Sequence, residues 1–299
     1  MLLDKIVTEF LAFCKFKELS ACTLMAYRQD LSDYQIWFDA AAFEDAFEKD
    51  TVLAWLDGMR ARNLSPATIK RRIACLRVMF RWLEEEQRLD ENPFNKLHSL
   101  VRLPRKLPRN LTSDELRLIF EQSNLRRRHH EEPALATLAL SLELLLSTGI
   151  RVGELCAIKI EDVDISGGTI RIHGKGNRER SVFIVDDGLR VQIEDYLALR
   201  SQYSVTGKQL LFSSKGGRIA PDYIRKVLHE FIGELHLGRR ITPHMFRHTA
   251  ATRLLERGVD IRLVQKLLGH ASISTTEIYT HVSDKHLKNA VEAAGLRRI

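Results

Sequence analysis

No run of 18 uncharged apolar residues occurs in the 299-residue chain, so a membrane-spanning helix is not expected. The longest apolar stretch, 135–150, is broken by Ser141, Glu143 and Ser147. The opening residues, MLLDKIVTEF, carry Asp4, Lys5 and Glu9 where a secretory signal would stay apolar. Cysteine is scarce. Cys14, Cys22, Cys75 and Cys156 lie far apart, with neither CxxC metal spacing nor a dense disulfide pattern. They fit a reducing, cytoplasmic setting. No long internal repeat is visible. Asp162 and Asp164 form a carboxylate pair with no third acid at a consistent spacing, so a metal-dependent nuclease is not expected. What remains is ordinary for a globular chain: 44% hydrophobic and 28% charged residues, with a length that suits two domains, each able to bury its own core.

The formal net charge is +7, which hints at a polyanionic partner. Its distribution says more. Residues 1–97 hold 14 Lys+Arg against 16 Asp+Glu, so the positive excess lies after residue 97. The segment VRLPRKLPRN (101–110) has Arg102, Arg105, Lys106 and Arg109, two prolines and no acid. Proline removes a backbone donor and restricts its predecessor, so this piece reads as an extended basic linker over 98–110. Two domains joined by a basic strap fit a polyanionic partner.

The first domain reads as helical. Leu3, Ile6, Val7, Phe10, Leu11 and Phe13 follow a 3.6-residue period. Further helices are expected from Ala21 to Phe38 and from Thr51 to Arg62. A fourth starts at Ser65 as N-cap with Pro66 in the first turn. Its apolar face is Ile69, Ile73, Leu76, Phe80 and Leu83, and its other face carries Lys70, Arg71, Arg72, Arg77 and Arg81. Lys70, Arg77 and Arg81 align without an acid among them, a stripe that suits a DNA backbone. A solvated basic face is the commoner meaning of such a stripe. The second domain opens at Leu111, with Thr112 or Ser113 capping a helix. RRRHHEE (126–132) reads as a polar loop, and a buried helix follows to Ser147. TIRIH (169–173) and RSVFIV (180–185) alternate like strands joined by a hairpin.

Four islands of this domain contain polar residues that helix patterning does not require. They are TGIRVGEL with Arg151 and Glu154; HGKGNRER with Lys175 in a turn; TPHMFRHTAATRLL with His244 and Arg247; and LLGHASISTTEIYTH with His270, Tyr279 and His281. Each has a plain structural meaning by itself, such as a surface ion pair or a solubilising lysine. Together they describe a chemistry. Two arginines can hold phosphate oxygens bidentately. Histidines and a lysine can move protons near neutral pH. A tyrosine hydroxyl can be a covalent nucleophile, and surrounding cations favour phenolate and a phosphorane-like transition state. The set fits metal-independent phosphoryl transfer on nucleic acid.

In order and spacing these islands resemble the signature boxes of the tyrosine recombinases, the phage-integrase family. The spacing at Ser20–Leu31 and the LSPATIKRRIACLRVMFRWL helix resemble that family's core-binding domain. The two-domain layout is similar to the bacterial Xer recombinases, although the tail AAGLRRI and the proline-free SVFIVD segment depart from their pattern. The resemblance implies a mainly α fold. A SAM-like helical core-binding domain would occupy 1–97, and a mixed, mainly helical catalytic domain with a small antiparallel sheet would occupy 111–299.

The resemblance also implies roles. Arg151 and Arg247 would clamp the scissile phosphate. Tyr279 would attack phosphorus to give a 3′-phosphotyrosyl link, with Lys175 as general acid at the leaving 5′-oxygen. His244 would assist Tyr279 as base, and His270 would be a further phosphate ligand. Glu154 would support Arg151. DNA contacts would come from Lys70, Arg71, Arg77, Arg81, Arg105 and Lys106. No cofactor or metal is implied. The partner would be double-stranded DNA, bound by a homo- or hetero-tetramer that exchanges strands through a Holliday junction. A C-terminal helix, Asp284 to Ala294, would dock on a neighbouring protomer through Leu287, Ala290, Val291 and Ala294. The sequence leaves open a second recombinase or an accessory motor, and the choice between resolving DNA dimers and integrating or excising a mobile element. Two alternatives stand beside it: a type IB topoisomerase-like enzyme and a non-catalytic DNA-binding relative.

Overall fold

The computed structural model describes residues 3–41, 43–97, 110–129, 132–174 and 179–269. The chain divides into two compact units, 1–106 and 107–299. Residues 98–109, including Arg105 and Lys106, lie outside the described residues, as do Lys175, His270, Tyr279 and the segment from Asp284 to Ala294.

Among the described residues, four α-helices build the first unit: α1 (Leu3–Phe16), α2 (Ala21–Ala40), α3 (Lys49–Ala61) and α4 (Pro66–Glu85). Two begin with the same device. The hydroxyls of Ser20 and Ser65 accept from the N–H groups of Thr23 and Thr68, each at 3.2 Å. These bonds satisfy donors that a helix start leaves orphaned. Phe10, Tyr34, Trp55 and Phe80 are fully buried at the centre, and the Tyr34 hydroxyl donates to the Ala46 carbonyl. Such aromatic burial supplies most of the driving force in a small helical unit.

The polar face of α4 differs from the stripe expected of it. Lys70 and Arg81 are exposed. Arg71 is paired with Asp30 of α2, whose side chain is 1% exposed. Arg72 joins Asp30 and also pairs with Asp33 at 2.5 Å. Arg77 lies over the Phe94 ring, 5.2 Å from its centre, and donates to the Leu97 carbonyl at 3.4 Å. A buried carboxylate needs charged partners. The adjacent arginines of α4 supply them, so part of the basic face packs the unit together.

The second unit is organised around α6 (Pro133–Thr148). Eleven of its residues are buried, as expected of a helix enclosed on most sides. Around it pack α5 (Ser113–His129), α8 (Asp187–Ser201), α9 (Pro221–Glu234) and α10 (Pro243–Glu256), with the short α7 (Val152–Ala157) against its end. The eight-residue α11 (Ile261–Leu268) follows α10. Among the described residues, the antiparallel sheet has three strands in the order β1 (Val163–Asp164), β2 (Thr169–His173), β3 (Glu179–Phe183). Ile170 faces Val182 across the β2–β3 pair. Ile170, Ile172, Val182 and Ile184 turn inward, while Phe183 and Val185 are exposed, the alternation of a half-buried ribbon.

The expected loop at 126–132 is a correction. Helix α5 continues through Arg126 and Arg127 to His129. Arg126 pairs with Glu234 of α9 and covers the Phe231 ring at 5.2 Å. Arg127 reaches Asp195 of α8 at 3.5 Å. Arginine is a good helix former, and these distant partners neutralise a charge run that looks solvated when read locally. The start of α5 is a capping box. The Thr112 hydroxyl accepts from the Glu115 N–H at 3.2 Å, and the Glu115 carboxylate accepts from the Thr112 N–H at 2.7 Å. Among the described residues, no helix is long and apolar enough to cross a membrane.

Candidate active site

Two helix ends make the site. Helix α6 stops at Gly149, with φ at 64°, and α11 stops at Gly269, also at 64°. This left-handed conformation favours glycine and closes a helix without a side chain in the way. Both glycines also sit under close neighbours. A Cβ on Gly149 would lie 2.7 Å from Leu268 Cδ2, and one on Gly269 would lie 3.1 Å from the Arg180 guanidinium. The C-terminal carbonyls of a helix lack intrahelical donors and carry the negative end of its dipole. Cations are therefore favoured here.

Three arginines from three elements meet these carbonyls. Arg247 of α10 donates to Gly149 O at 2.6 Å and to Leu268 O at 2.8 Å. Arg180 of β3 donates from Nε to Leu267 O at 2.9 Å. Arg151, the residue that caps α7, donates to Gly269 O at 3.2 Å. Successive carbonyls at the end of α11 thus each hold a different guanidinium. The first residue beyond that end is His270.

Glu154 ties two of the arginines together. Its carboxylate accepts from the Arg151 N–H at 2.9 Å and from Arg151 Nη1 at 2.8 Å. It also accepts from Arg180 Nη1 and Nη2 at 3.1 and 2.8 Å. Burial pushes this carboxyl up, yet the Arg180 and Arg151 bonds outweigh it and hold Glu154 below the usual carboxylate range. The first bond caps the start of α7, so one acid fixes both the backbone and the side chain of Arg151.

His244 stands in the first turn of α10, three residues before Arg247. One helical turn was expected to bring the two to one ligand. They differ in exposure. Arg247 is 4% exposed, whereas His244 remains open to solvent. Partial burial of the imidazole, followed by the positive charges of Arg247, Arg225 and Arg151, lowers the His244 pKa below the ordinary histidine value. These surroundings favour the neutral ring, the form able to accept a proton. Arg151 is 40% exposed and can be reached by a phosphate.

The described site thus brings together Arg151, Glu154, His244 and Arg247. Sequence reasoning missed Arg180, which lies inside the HGKGNRER island but reads there as one residue of a strand. It also missed Arg225 of α9, whose charge reaches His244. His173, the last residue of β2 before the turn, sits between Asp162 at 2.9 Å and Glu179 at 3.0 Å. Asp162 also accepts from the Lys159 N–H at 3.0 Å, so its carboxylate braces the hairpin. Among the described residues, no group of three or more His, Cys, Asp or Glu is placed to hold a metal ion.

Comparison with known proteins gives this geometry its context. Residues 7–87 match the N-terminal SAM-like domain of phage integrases, and residues 109–286 match the phage integrase family itself. Tyrosine recombinase XerC of Thermodesulfovibrio yellowstonii is 34% identical over 94% of this chain and 93% of its own length. XerC of Listeria innocua is 36% identical over 91% of each. Among solved structures, XerH recombinase bound to its difH substrate is 26% identical, with a TM-score of 0.73, over 93% of this chain and 81% of that one. The Tn1549 transposon integrase in complex with transposon right-end DNA shares the fold at a TM-score of 0.80 and 16% identity. It covers 98% of this chain and 99% of that one. The matches run through both units and through the arginine-lined ends of α6 and α11, and they place the chain in the phage integrase family as a tyrosine recombinase, an enzyme that cleaves and rejoins DNA strands.

Proposed function

We propose that the protein recombines double-stranded DNA at a specific site through a 3′-phosphotyrosyl intermediate on Tyr279. The observation that carries this reading is the convergence of Arg151 and Arg247 at the end of α11, with His244 within reach of both charges. Arg151 holds the scissile phosphate from the solvent side. Arg247 acts from a buried position, where its charge is little screened. As Tyr279 attacks, the bond from phosphorus to the 5′-oxygen breaks. His244 takes the phenol proton, and Lys175 protonates the leaving oxygen. His270 adds a donor to the phosphorane-like transition state. The tyrosyl ester conserves the bond energy, so a second strand's 5′-hydroxyl can reverse the step without ATP.

Four protomers, each contributing its segment from Asp284 to Ala294 to a neighbour, would carry this through a Holliday junction. Identity of 34–36% to Xer recombinases over more than 90% of the chain supports site-specific recombination. The deciding experiment uses a nicked suicide duplex carrying the target site. A covalent adduct that forms with the wild-type protein and disappears in Tyr279→Phe supports the reading. Absence of adduct on every candidate site overturns it. Relaxation of supercoils without strand exchange would point to a topoisomerase instead.

His244 sets the pH dependence. Its folded pKa is depressed, so the neutral base persists to lower pH than a free imidazole would. The acid limb of the cleavage rate is expected below pH 6.5, the ordinary histidine value. It should move towards neutrality in Arg225→Gln, which removes one cation acting on the ring. A single-turnover pH profile of both proteins checks this.

The DNA-contact residues of α4 separate by their partners. Lys70 and Arg81, both exposed, are expected to meet phosphates. Each alanine substitution should reduce the slope of log affinity against log salt by about 0.9. Arg77, held over Phe94, should change stability rather than that slope. Arg71, occupied by Asp30, should do likewise. Binding titrations at several salt concentrations distinguish the two groups.

A further inference from the structure

Arg180 has no assigned part in the chemistry, yet its side chain makes three hydrogen bonds at the described site, against two from the side chain of Arg151. Its side chain is 15% exposed. Nη1 and Nη2 form a fork on the two oxygens of Glu154, and Nε reaches the Leu267 carbonyl. The same guanidinium lies tightly under Gly269, 3.1 Å from where a Cβ would stand. Arg180 therefore joins three things: strand β3 of the hairpin that carries Lys175, the carboxylate that aligns Arg151, and the end of α11 that leads into His270.

We propose that Arg180 is a positioning residue for strand cleavage: it holds Glu154 in the one orientation that presents Arg151 to the scissile phosphate, and it fixes the end of α11 against β3. The physical argument is one of shared acceptors. Glu154 has two oxygens and serves three donors: the Arg151 N–H, the Arg151 guanidinium and the Arg180 fork. Without the fork the carboxylate could rotate fully onto Arg151. It would then neutralise the arginine instead of orienting it. A bidentate planar fork resists that rotation, and an ammonium does not. Outer partners of this kind are worth about 10–100-fold where they orient an active group. Small misplacements of reacting groups have effects of similar size.

The inference rests on the phosphotyrosyl reading, and the test separates the two. Wild type, Arg180→Gln and Arg180→Lys are compared in single-turnover cleavage of the nicked duplex, alongside equilibrium affinity for the same duplex and a circular-dichroism melt. A second substrate carries a neutral methylphosphonate at the scissile position, which removes one anionic oxygen for Arg151 to meet. Arg180→Gln is expected to cleave the phosphodiester about 10–100-fold more slowly with affinity within about two-fold of wild type. The deficit should shrink on the methylphosphonate, where the presentation of Arg151 matters less. Arg180→Lys should fall between the two proteins. Should Arg180→Gln not fold, Arg180→Lys decides by the same ratio of rates on the two substrates. Wild-type rates in the folded variants overturn the proposal while leaving the phosphotyrosyl reading intact. A deficit equal on both substrates also overturns it, because a merely structural defect ignores the charge of the phosphate. If the wild-type protein forms no Tyr279-dependent adduct, both readings fall together.

Discussion

Arg151→Ala and Arg247→Ala are both expected to slow strand cleavage by about 10²–10³-fold, but only Arg247→Ala should also lower the melting temperature. The difference follows from where each charge sits. Arg151 is 40% exposed. When it is removed, Glu154 keeps the Arg180 fork, and the lost surface interactions are worth at most about 1 kcal/mol. Arg247 is 4% exposed and supplies donors to Gly149 O and Leu268 O at the ends of two helices. Each carbonyl left without a donor costs about 1–3 kcal/mol. For a unit of this size, 1 kcal/mol shifts the midpoint by about 2–4 °C. Two such carbonyls cost about 2–6 kcal/mol, so a drop of roughly 4–24 °C is expected for Arg247→Ala. Arg247→Lys should recover part of the stability and little of the rate, because an ammonium cannot span both carbonyls and still offer a planar fork. Circular-dichroism melts beside single-turnover cleavage make the comparison. A wild-type melt for Arg247→Ala would mean that the two helix ends do not depend on it.

How much of this was legible in the sequence depends on the distance over which each residue is satisfied. The start of α4 was legible because Ser65, Pro66 and Thr68 settle their hydrogen bonds within four residues. The β2–β3 ribbon was legible because its alternation is a local pattern, and its register places Ile170 opposite Val182. Helix α5 looked like a loop after Arg126 because the partners that neutralise Arg126 and Arg127 lie 108 and 68 residues away. Arg71 looked like a surface base because Asp30 is 41 residues away on another helix. Within the site, the residue types were legible and their depth was not. Spacing on a helix gives the face of His244 and Arg247, but not that one stays open while the other is buried against two helix ends. Arg180 escaped for the same reason. Its partners, Glu154 and Leu267, are 26 and 87 residues distant.

The first unit offers the other large effect, and it tests the reassignment of α4's basic face. Asp30→Ala is expected to destabilise that unit by about 3–5 kcal/mol, because it strips a buried ion cluster of its central acid. Asp30 is 1% exposed, and burial pushes its carboxyl above the usual aspartate value against the pull of Arg71 and Arg72. The carboxyl thus sits in the cluster at a desolvation penalty, and without it Arg72, 13% exposed, would be left with Asp33 alone. Asp30→Asn should be milder, since an amide oxygen still accepts from the guanidiniums. The measurement is unusually clean in this chain. All three tryptophans, Trp37, Trp55 and Trp82, lie in the first unit, so fluorescence in a urea titration of the full protein reports that unit's unfolding. With a denaturant slope of about 1–3 kcal/mol per molar, the midpoint should fall by at least about 1 M. If the cluster is instead a loose surface network and Arg71 and Arg72 are held for DNA, the midpoint will barely move. In that case Arg71→Ala, rather than Asp30→Ala, will change the salt dependence of binding.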